Sequence, residues 1–139
     1  MGKTLILTDV DYSTNAIPKS VIIPPVSYTN AELKAMVTTA TSGKYVNNLG
    51  VVTSNSSLSY IVLDIRGYDE VVISGYSGTT TGAFLSSDAP SSSSFVSAVT
   101  RQSAGNWNNE RITIPTGATH FAFNFWNSYS NYAFTKDVV

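Results

Sequence analysis

The chain has no cysteine and a single histidine, and only 12% of its 139 residues are charged. Without cysteine it has no disulfide framework and no thiolate nucleophile. The formal net charge of -1 leaves neither sign in excess, so we expect no nucleic-acid partner held by a basic surface. No apolar run approaches the roughly 18 residues of a transmembrane helix, and we expect no membrane insertion. The length matches one domain with its own hydrophobic core.

Reactive side chains are too few to indicate catalysis. His120 lies in an aromatic stretch without a serine elbow, a metal-spaced cluster or a phosphate-binding glycine loop near it. Asp69 and Glu70 are neighbours at a turn, so they would point apart and not form the paired carboxylates of a glycosidase. The segment Asp9–Asn15 begins like a calcium-binding EF-hand loop, but Thr14 stands where that loop needs glycine. We therefore expect no enzyme activity, no cofactor and no metal site.

Serine, threonine and asparagine supply most of the polarity, at about a third of the chain. Together with frequent β-branched residues and 12% aromatics, this composition favours strands joined by hydroxyl-rich loops. From Lys44 onward, short apolar runs alternate with turn residues at spacings near ten, as in a β-sandwich or barrel. The predicted strands of this part are Gly50–Thr53, Leu58–Ile65, Glu70–Tyr76, Gly82–Ser86, Phe95–Thr100, Arg111–Ile114, Thr119–Asn127 and Tyr132–Lys136. Eight strands suit two facing sheets.

The clearest core signal is an alternation of period two in the segment 119–127. Phe121, Phe123 and Phe125 share one face of this predicted strand, whereas His120 and Asn124 fall on the other. We expect the phenylalanine face to point into the sandwich.

The first 42 residues carry a different pattern. Lys3–Asp9 and Ser20–Ile23 are short apolar stretches that predict strands. The one predicted helix is Ala31–Val37, which either Thr29 or Asn30 would cap. A single short helix ahead of so many strands favours a connecting or docking element over a second domain.

Two polar stretches contain large aromatic side chains. Trp107 lies in the predicted loop Ser103–Asn109, and the predicted loop Trp126–Tyr132 mixes Trp and Tyr with Asn and Ser. Aromatic rings stack on the C–H faces of sugars while amides and hydroxyls bond the sugar hydroxyls. The same loops would also suit an assembly interface or plain packing. The candidate ligand-binding residues are Trp107, Asn108, Trp126, Tyr129 and Tyr132.

Three further stretches carry a family pattern. Leu58–Gly75 contains a strand led by a glycine turn, Ala83–Asp88 reads Ala-Phe-Leu-Ser-Ser-Asp, and Ile112–Phe123 contains a Pro-x-Gly-Ala turn before an apolar strand. Together they resemble the jelly-roll modules of bacteriophage tail and head fibres. The opening Gly2–Ile17 is similar to the N-terminal segment of such proteins in phages of gut Bacteroides-like hosts. The Pro-x-Gly-Ala turn also occurs in carbohydrate-binding modules and bacterial adhesins.

The resemblance implies an all-β, jelly-roll-like antiparallel β-sandwich of about eight strands with one short N-terminal helix. It implies a virion structural protein: a fibre, appendage or capsid-decoration subunit. Residues 1–42 would dock on other virion subunits in a homo-oligomer, and residues 43–139 would display the sandwich to a partner or a host-surface glycan. The side chains expected at the assembly contact are Leu5, Ile6, Leu7, Leu33, Met36 and Val37.

The expected location is the virion, assembled in the host cytoplasm. The apolar run Thr4–Leu7 is too short for a signal peptide, which agrees with that expectation. The alternative function is a carbohydrate-binding module or adhesin domain that binds glycans through its loop aromatics.

Overall fold

The structure is a computed structural model that describes residues 4–6 and 20–139. Within these ranges the chain forms eleven strands and one helix. The strands β1 (Thr4–Ile6) and β2 (Ser20–Ile22) pair with each other and belong to neither main sheet. The remaining elements are β3 (Val26–Tyr28), α1 (Asn30–Ala35), β4 (Ser42–Val46), β5 (Val52–Asp64), β6 (Glu70–Ser77), β7 (Thr80–Leu85), β8 (Phe95–Thr100), β9 (Gly105–Thr113), β10 (His120–Trp126) and β11 (Ala133–Asp137).

Two antiparallel sheets form a sandwich, with strand orders β4-β5-β10-β7-β8 and β3-β11-β6-β9. The pairs are nested along the chain: β7 pairs with β8, β6 with β9, β5 with β10, and β3 with β11. Successive pairs fall in alternate sheets. This is the connectivity of an eight-stranded jelly roll, with β4 added at the edge beside β5. The predicted all-β sandwich is therefore confirmed.

Five of the thirteen buried residues in the core between the two sheets are phenylalanines. Phe121, Phe123 and Phe125 are each at most 1% exposed, so the alternation in β10 predicted the core face correctly. Phe134 of β11 lies 5.8 Å, centroid to centroid, from both Phe121 and Phe123 and joins the two sheets. Full burial of one such ring stabilises the fold by about 2–3 kcal/mol.

Helix α1 belongs to the sandwich. Thr29 forms a complete capping box, in which its hydroxyl accepts from the Glu32 N–H and the Glu32 carboxylate accepts from the Thr29 N–H. Leu33 is fully buried in the core, and β3 pairs with β11. The sandwich therefore begins no later than Val26, upstream of the boundary predicted between residues 42 and 43. Docking by residues 1–42 stays a prediction.

A second apolar cluster lies on the outer face of the five-stranded sheet. Its members are Val46, Tyr60, Ala83, Leu85 and Ala122, with Val52, Val62 and Phe95 packed against them. The hairpin formed by β4 and the start of β5, residues 42–54, folds over this face and is called the covering hairpin. At its tip Gly50 has a φ of +81°, and a Cβ there would lie 2.8 Å from the Cβ of Phe95. Only glycine combines that backbone with that close approach.

Several predicted boundaries were wrong. The strands predicted at Gly50–Thr53 and Leu58–Ile65 are one strand of 13 residues, β5. Strand β4 was not predicted, because its polar residues hide the alternation. The strand predicted from Arg111 begins at Gly105, and the predicted helix ends at Ala35. The alternation of apolar and polar residues misplaced these strand boundaries where the chain bends or forms a β-bulge.

The N-terminal strand predictions are described in part. Strand structure covers Thr4–Ile6 and Ser20–Ile22, whereas the rest of Lys3–Asp9 that follows Ile6 lies outside the described residues, as does the segment Asp9–Asn15. In the part of the chain that the structure describes, the helix has six residues, too few to cross a membrane.

Candidate functional site

A cleft of about 180 Å³ opens between the covering hairpin and the turn that joins β6 to β7. It is smaller than the roughly 300–1,000 Å³ pockets that hold drug-sized ligands, so it suits a group the size of one sugar ring. Its lining residues are Tyr45, Asn55, Leu58, Ser77, Gly78, Thr79, Thr80, Asn124 and Trp126. We call it the Trp126 cleft.

Two of the nine residues that line the cleft are aromatic, Trp126 and Tyr45. Trp126 ends β10 and lies on the outer face of the sheet, because the phenylalanines occupy the inner face. The β6–β7 turn passes close to the indole, since a Cβ on Gly78 would lie 3.5 Å from it. Leu58, directly opposite Trp126 in the register of β5 and β10, is 7% exposed. Tyr45 adds a second aromatic ring from the covering hairpin.

The polar groups of the cleft are neutral, and several of them are available for hydrogen bonds to a ligand. The indole N–H of Trp126 and the hydroxyls of Tyr45 and Thr79 form no hydrogen bond with any residue in the described ranges. The same holds for the amide N–H groups of Asn55 and the hydroxyl of Thr80. None of the lining side chains is charged. The cleft therefore offers hydrogen bonds beside aromatic surface and has no counter-charge for an ionic ligand.

Asn124 ties the covering hairpin to the sheet beneath it. Its Oδ1 accepts from the Val46 N–H at 2.9 Å, and its Nδ2 donates to the Val46 carbonyl at 2.8 Å. Nδ2 also reaches the Thr80 carbonyl at 3.3 Å. The alternation of β10 placed Asn124 on the outer face, but its role was missed because Val46 is far away in sequence.

The backbone of Trp126 is held at both its N–H and its carbonyl. The Tyr132 hydroxyl accepts from the Trp126 N–H at 2.8 Å and donates to the Tyr76 carbonyl at 2.6 Å. The Lys34 ammonium donates to the Trp126 carbonyl at 3.4 Å and to the Tyr129 carbonyl at 2.7 Å. The backbone that bears the indole is therefore held in place beside the cleft.

Tyr132, which was predicted as a ligand contact, lies in the core. The side chain is 3% exposed, and its ring packs 5.0 Å from Phe125 and 5.9 Å from Phe123. Burial raises the pKa of the phenol to about 12. Tyr132 acts on the site by positioning Trp126.

Trp107 is likewise a packing residue and does not lie in a loop. It belongs to β9, opposite Gly75 of β6, and its indole N–H donates to the Thr81 hydroxyl at 2.6 Å. The Arg101 guanidinium lies 4.7 Å from the centre of its ring. Trp107 thus closes the side of the sandwich between β9 and β7. The neighbouring Asn108 is exposed, and neither residue lines the cleft.

The candidate assembly residues divide by burial. Leu33 is fully buried, so its side chain is not available to a partner, whereas Val37 is partly buried against the core. Met36 is 39% exposed. For Leu5 and Ile6 the structure describes the backbone alone, and Leu7 lies outside the described residues.

The acidic side chains of Asp64 and Glu70 form ion pairs. His120 begins β10 opposite Asp64 of β5. Hydrogen bonds from Arg66 hold the pKa of the Asp64 carboxyl well below its usual range. Glu70 pairs with Arg111 across the other sheet. Among the residues described, no three or more His, Cys, Asp or Glu side chains come together as a metal site.

No family model, no curated protein and no solved structure matches this chain. The interpretation of the cleft therefore depends on its own geometry and chemistry.

Proposed function

We propose that this protein is a non-catalytic binding module that holds a neutral sugar in the Trp126 cleft. The observation that carries the proposal is the pairing of aromatic rings with available neutral hydrogen-bonding groups in a cleft without charge. A sugar ring presents a C–H face to an aromatic ring and hydroxyls to its neighbours. Trp126 and Tyr45 supply the rings, and Asn55, Thr79 and Thr80 supply hydrogen bonds.

Other ligand classes fit this lining less well. A phosphate or nucleic-acid ligand would need cationic side chains, and none lines the cleft. A purely apolar ligand would remove water from the free hydroxyl and amide groups without replacing their hydrogen bonds, which costs free energy. A polyhydroxylated neutral ligand meets both requirements.

The cleft is already formed in the free protein. The hydrogen bonds of Asn124 hold the covering hairpin, and Tyr132 and Lys34 hold the backbone of Trp126. A preformed site loses little conformational entropy on binding, which favours recognition by a few well-placed groups.

The test combines a glycan array with calorimetric titration of the best sugar. We expect Trp126→Ala to lower the affinity at least tenfold, because it removes both the stacking surface and an N–H donor. Tyr45→Phe should lower it less, by the roughly 1 kcal/mol of one hydroxyl hydrogen bond.

Trp107→Phe is the matched control, because it alters the other tryptophan while keeping an aromatic ring in the packing position. It should lose some stability with the Thr81 hydrogen bond but keep its sugar affinity. Equal affinity in folded wild-type and Trp126→Ala proteins would overturn the proposal, as would an array without any bound neutral glycan.

We also propose that the module is a bacteriophage virion subunit, a fibre, appendage or decoration protein that assembles through its N-terminal segment. The sequence resemblance supports this setting, and so does the topology, because β1 and β2 belong to neither sheet of the sandwich. The jelly roll is complete from β3 onward, which leaves the earlier segment for contacts with another copy.

Light scattering of the full-length chain and of a chain lacking residues 1–22 tests this second proposal. The shorter chain keeps β3 and Leu33, which a deletion of residues 1–42 would remove. We expect an oligomer that becomes a folded monomer after the deletion. A full-length monomer, or an oligomer that survives the deletion, would contradict assembly through this segment.

A further inference from the structure

We infer that the sugar site continues from the Trp126 cleft onto the exposed ring of Tyr129, so that the ligand is a neutral oligosaccharide. The inference rests on the proposed function of the cleft and adds a second aromatic subsite to it. Three features carry it: the exposure of an ordered ring, its continuity with Trp126, and the fixation of the loop that bears it.

The ring of Tyr129 is exposed although it is firmly stacked. It lies parallel to the ring of Tyr76, with centroids 4.1 Å apart and 7° between the planes, yet 39% of the residue remains exposed. The stack covers one face of the Tyr129 ring and orients the other toward solvent. A flat ring presented in this way suits the C–H face of a sugar.

The Tyr129 ring is continuous with the cleft through Tyr76. Tyr76 meets Trp126 edge to face, at 6.3 Å between centroids and 71° between planes. Trp126 in turn lines the cleft. These three rings form an aromatic row from the cleft to the surface, and its two steps of 6.3 and 4.1 Å lie within the length of a trisaccharide.

The loop after β10 is fixed before any ligand arrives. The Lys34 ammonium donates to the carbonyls of Tyr129 at 2.7 Å and of Asn127 at 3.4 Å, and it lies 5.4 Å from the centre of the Tyr132 ring. Burial lowers the pKa of this ammonium. Lys34 is therefore a positioning residue, which removes much of the entropy cost of ordering Tyr129 on binding.

Two neutral amide side chains, Asn131 and Asn106, lie beside the row. Asn131 accepts from the Tyr76 N–H at 3.3 Å and donates to the Asn106 side-chain oxygen at 3.0 Å. Both asparagines are exposed and border the row. Amide groups beside an aromatic platform match the hydroxyls of a neutral sugar chain.

The experiment compares monosaccharides with trisaccharides of the same sugar. The probes are methyl glucoside, methyl mannoside and N-acetylglucosamine, with cellotriose, maltotriose, mannotriose and chitotriose, titrated against the full-length protein. We expect a trisaccharide to bind more tightly than its monosaccharide. Tyr129→Ala should reduce the trisaccharide affinity by roughly five- to tenfold and the monosaccharide affinity much less.

Two control variants separate ring stacking from general damage. Tyr129→Phe keeps the ring and should preserve the preference for the trisaccharide. Tyr68→Ala removes a tyrosine in the turn between β5 and β6, at the opposite end of β6 from the cleft, and should change neither affinity.

The outcomes distinguish this inference from the proposed function. One outcome is that Trp126→Ala loses monosaccharide binding while Tyr129→Ala binds the trisaccharide as tightly as the wild-type protein. This outcome would support the sugar site in the cleft and overturn the second subsite at Tyr129. Absence of binding by every sugar would overturn both proposals.

Lys34→Met tests the positioning role by replacing the ammonium with an uncharged group of similar length. Because Lys34 bonds more closely to the Tyr129 carbonyl than to the Trp126 carbonyl, we expect the trisaccharide affinity to fall more than the monosaccharide affinity, with a change in the near-ultraviolet circular dichroism of the stacked tyrosines. A variant that loses stability but keeps both the preference and the spectrum would show that Lys34 is merely structural.

Discussion

The two sheets of the sandwich differ in how they use their outer faces. On the five-stranded sheet, Tyr60, Leu85 and Ala122 are at most 7% exposed beneath the covering hairpin. On the four-stranded sheet, polar side chains stay at the surface and bond one another, as the hydroxyls of Ser27 and Thr135 do at 2.8 Å. The Trp126 cleft lies where the cover of the first face ends. The candidate site therefore exists because the covering hairpin packs on the second apolar cluster and forms one wall of the cleft.

The strands of the two sheets carry this difference in their sequences. In β10, Phe121-Ala122-Phe123 is apolar on both faces, and Ala83-Phe84-Leu85 of β7 is the same. Such continuous apolar runs are typical of sheets buried on both sides. In β6, by contrast, Ile73 and Gly75 are buried whereas Ser74 and Tyr76 are partly exposed. That alternation is typical of a sheet with one face exposed to solvent.

Removing the link between the hairpin and the five-stranded sheet should have the largest effect. Asn124→Ala would leave the buried Val46 N–H and carbonyl without partners. We expect a loss of roughly 3 kcal/mol in the free energy of unfolding, measured in urea. The matched control is Ser74→Ala on the exposed face of the other sheet, which should cost less than about 1 kcal/mol. Similar losses in the two variants would break the comparison.

A methyl group at the tip of the covering hairpin should have an intermediate effect. Gly50→Ala meets both an unfavourable φ and close contacts with Phe95 and the Ser91 carbonyl, each at 2.8 Å. Gly67→Ala meets a similar φ of +87° with no atom within 4 Å. We expect losses of about 2–3 kcal/mol and about 1 kcal/mol respectively, measured by thermal unfolding. A difference near zero would show that the tip of the hairpin does not press on Ser91 and Phe95.

The smallest effect is expected at an ion pair on the exposed face of the four-stranded sheet. Arg111 bonds to Glu70, and the Arg111 side chain is 57% exposed. Arg111→Ala should lower the free energy of unfolding by less than about 1 kcal/mol, and added salt should remove most of the difference. A large loss that persists in 1 M salt would mean that this face contributes to stability as the covered face does.

The two tryptophans differ in a property that the sequence did not predict, namely whether the side chain packs in the sandwich or faces a cleft. Each is followed directly by an asparagine, and both were predicted as ligand contacts. Trp107 packs at the joint of the sheets with its N–H bound to Thr81, whereas Trp126 faces a cleft. Local sequence could not separate them, because their burial depends on which strands lie opposite.

The sequence by itself determined the strand-rich class, the phenylalanine core face of β10 and the capped start of α1. Each depends on near neighbours along the chain, through side-chain alternation in a strand or the Thr29–Glu32 capping box. Only the tertiary structure decided the nested strand order, the fold of residues 42–54 over the sheet, and the cleft beside Trp126. These depend on contacts between distant segments, such as Asn124 with Val46 and Lys34 with Tyr129. No local pattern specifies such contacts, since their energies arise only when the packed layers bring the segments together.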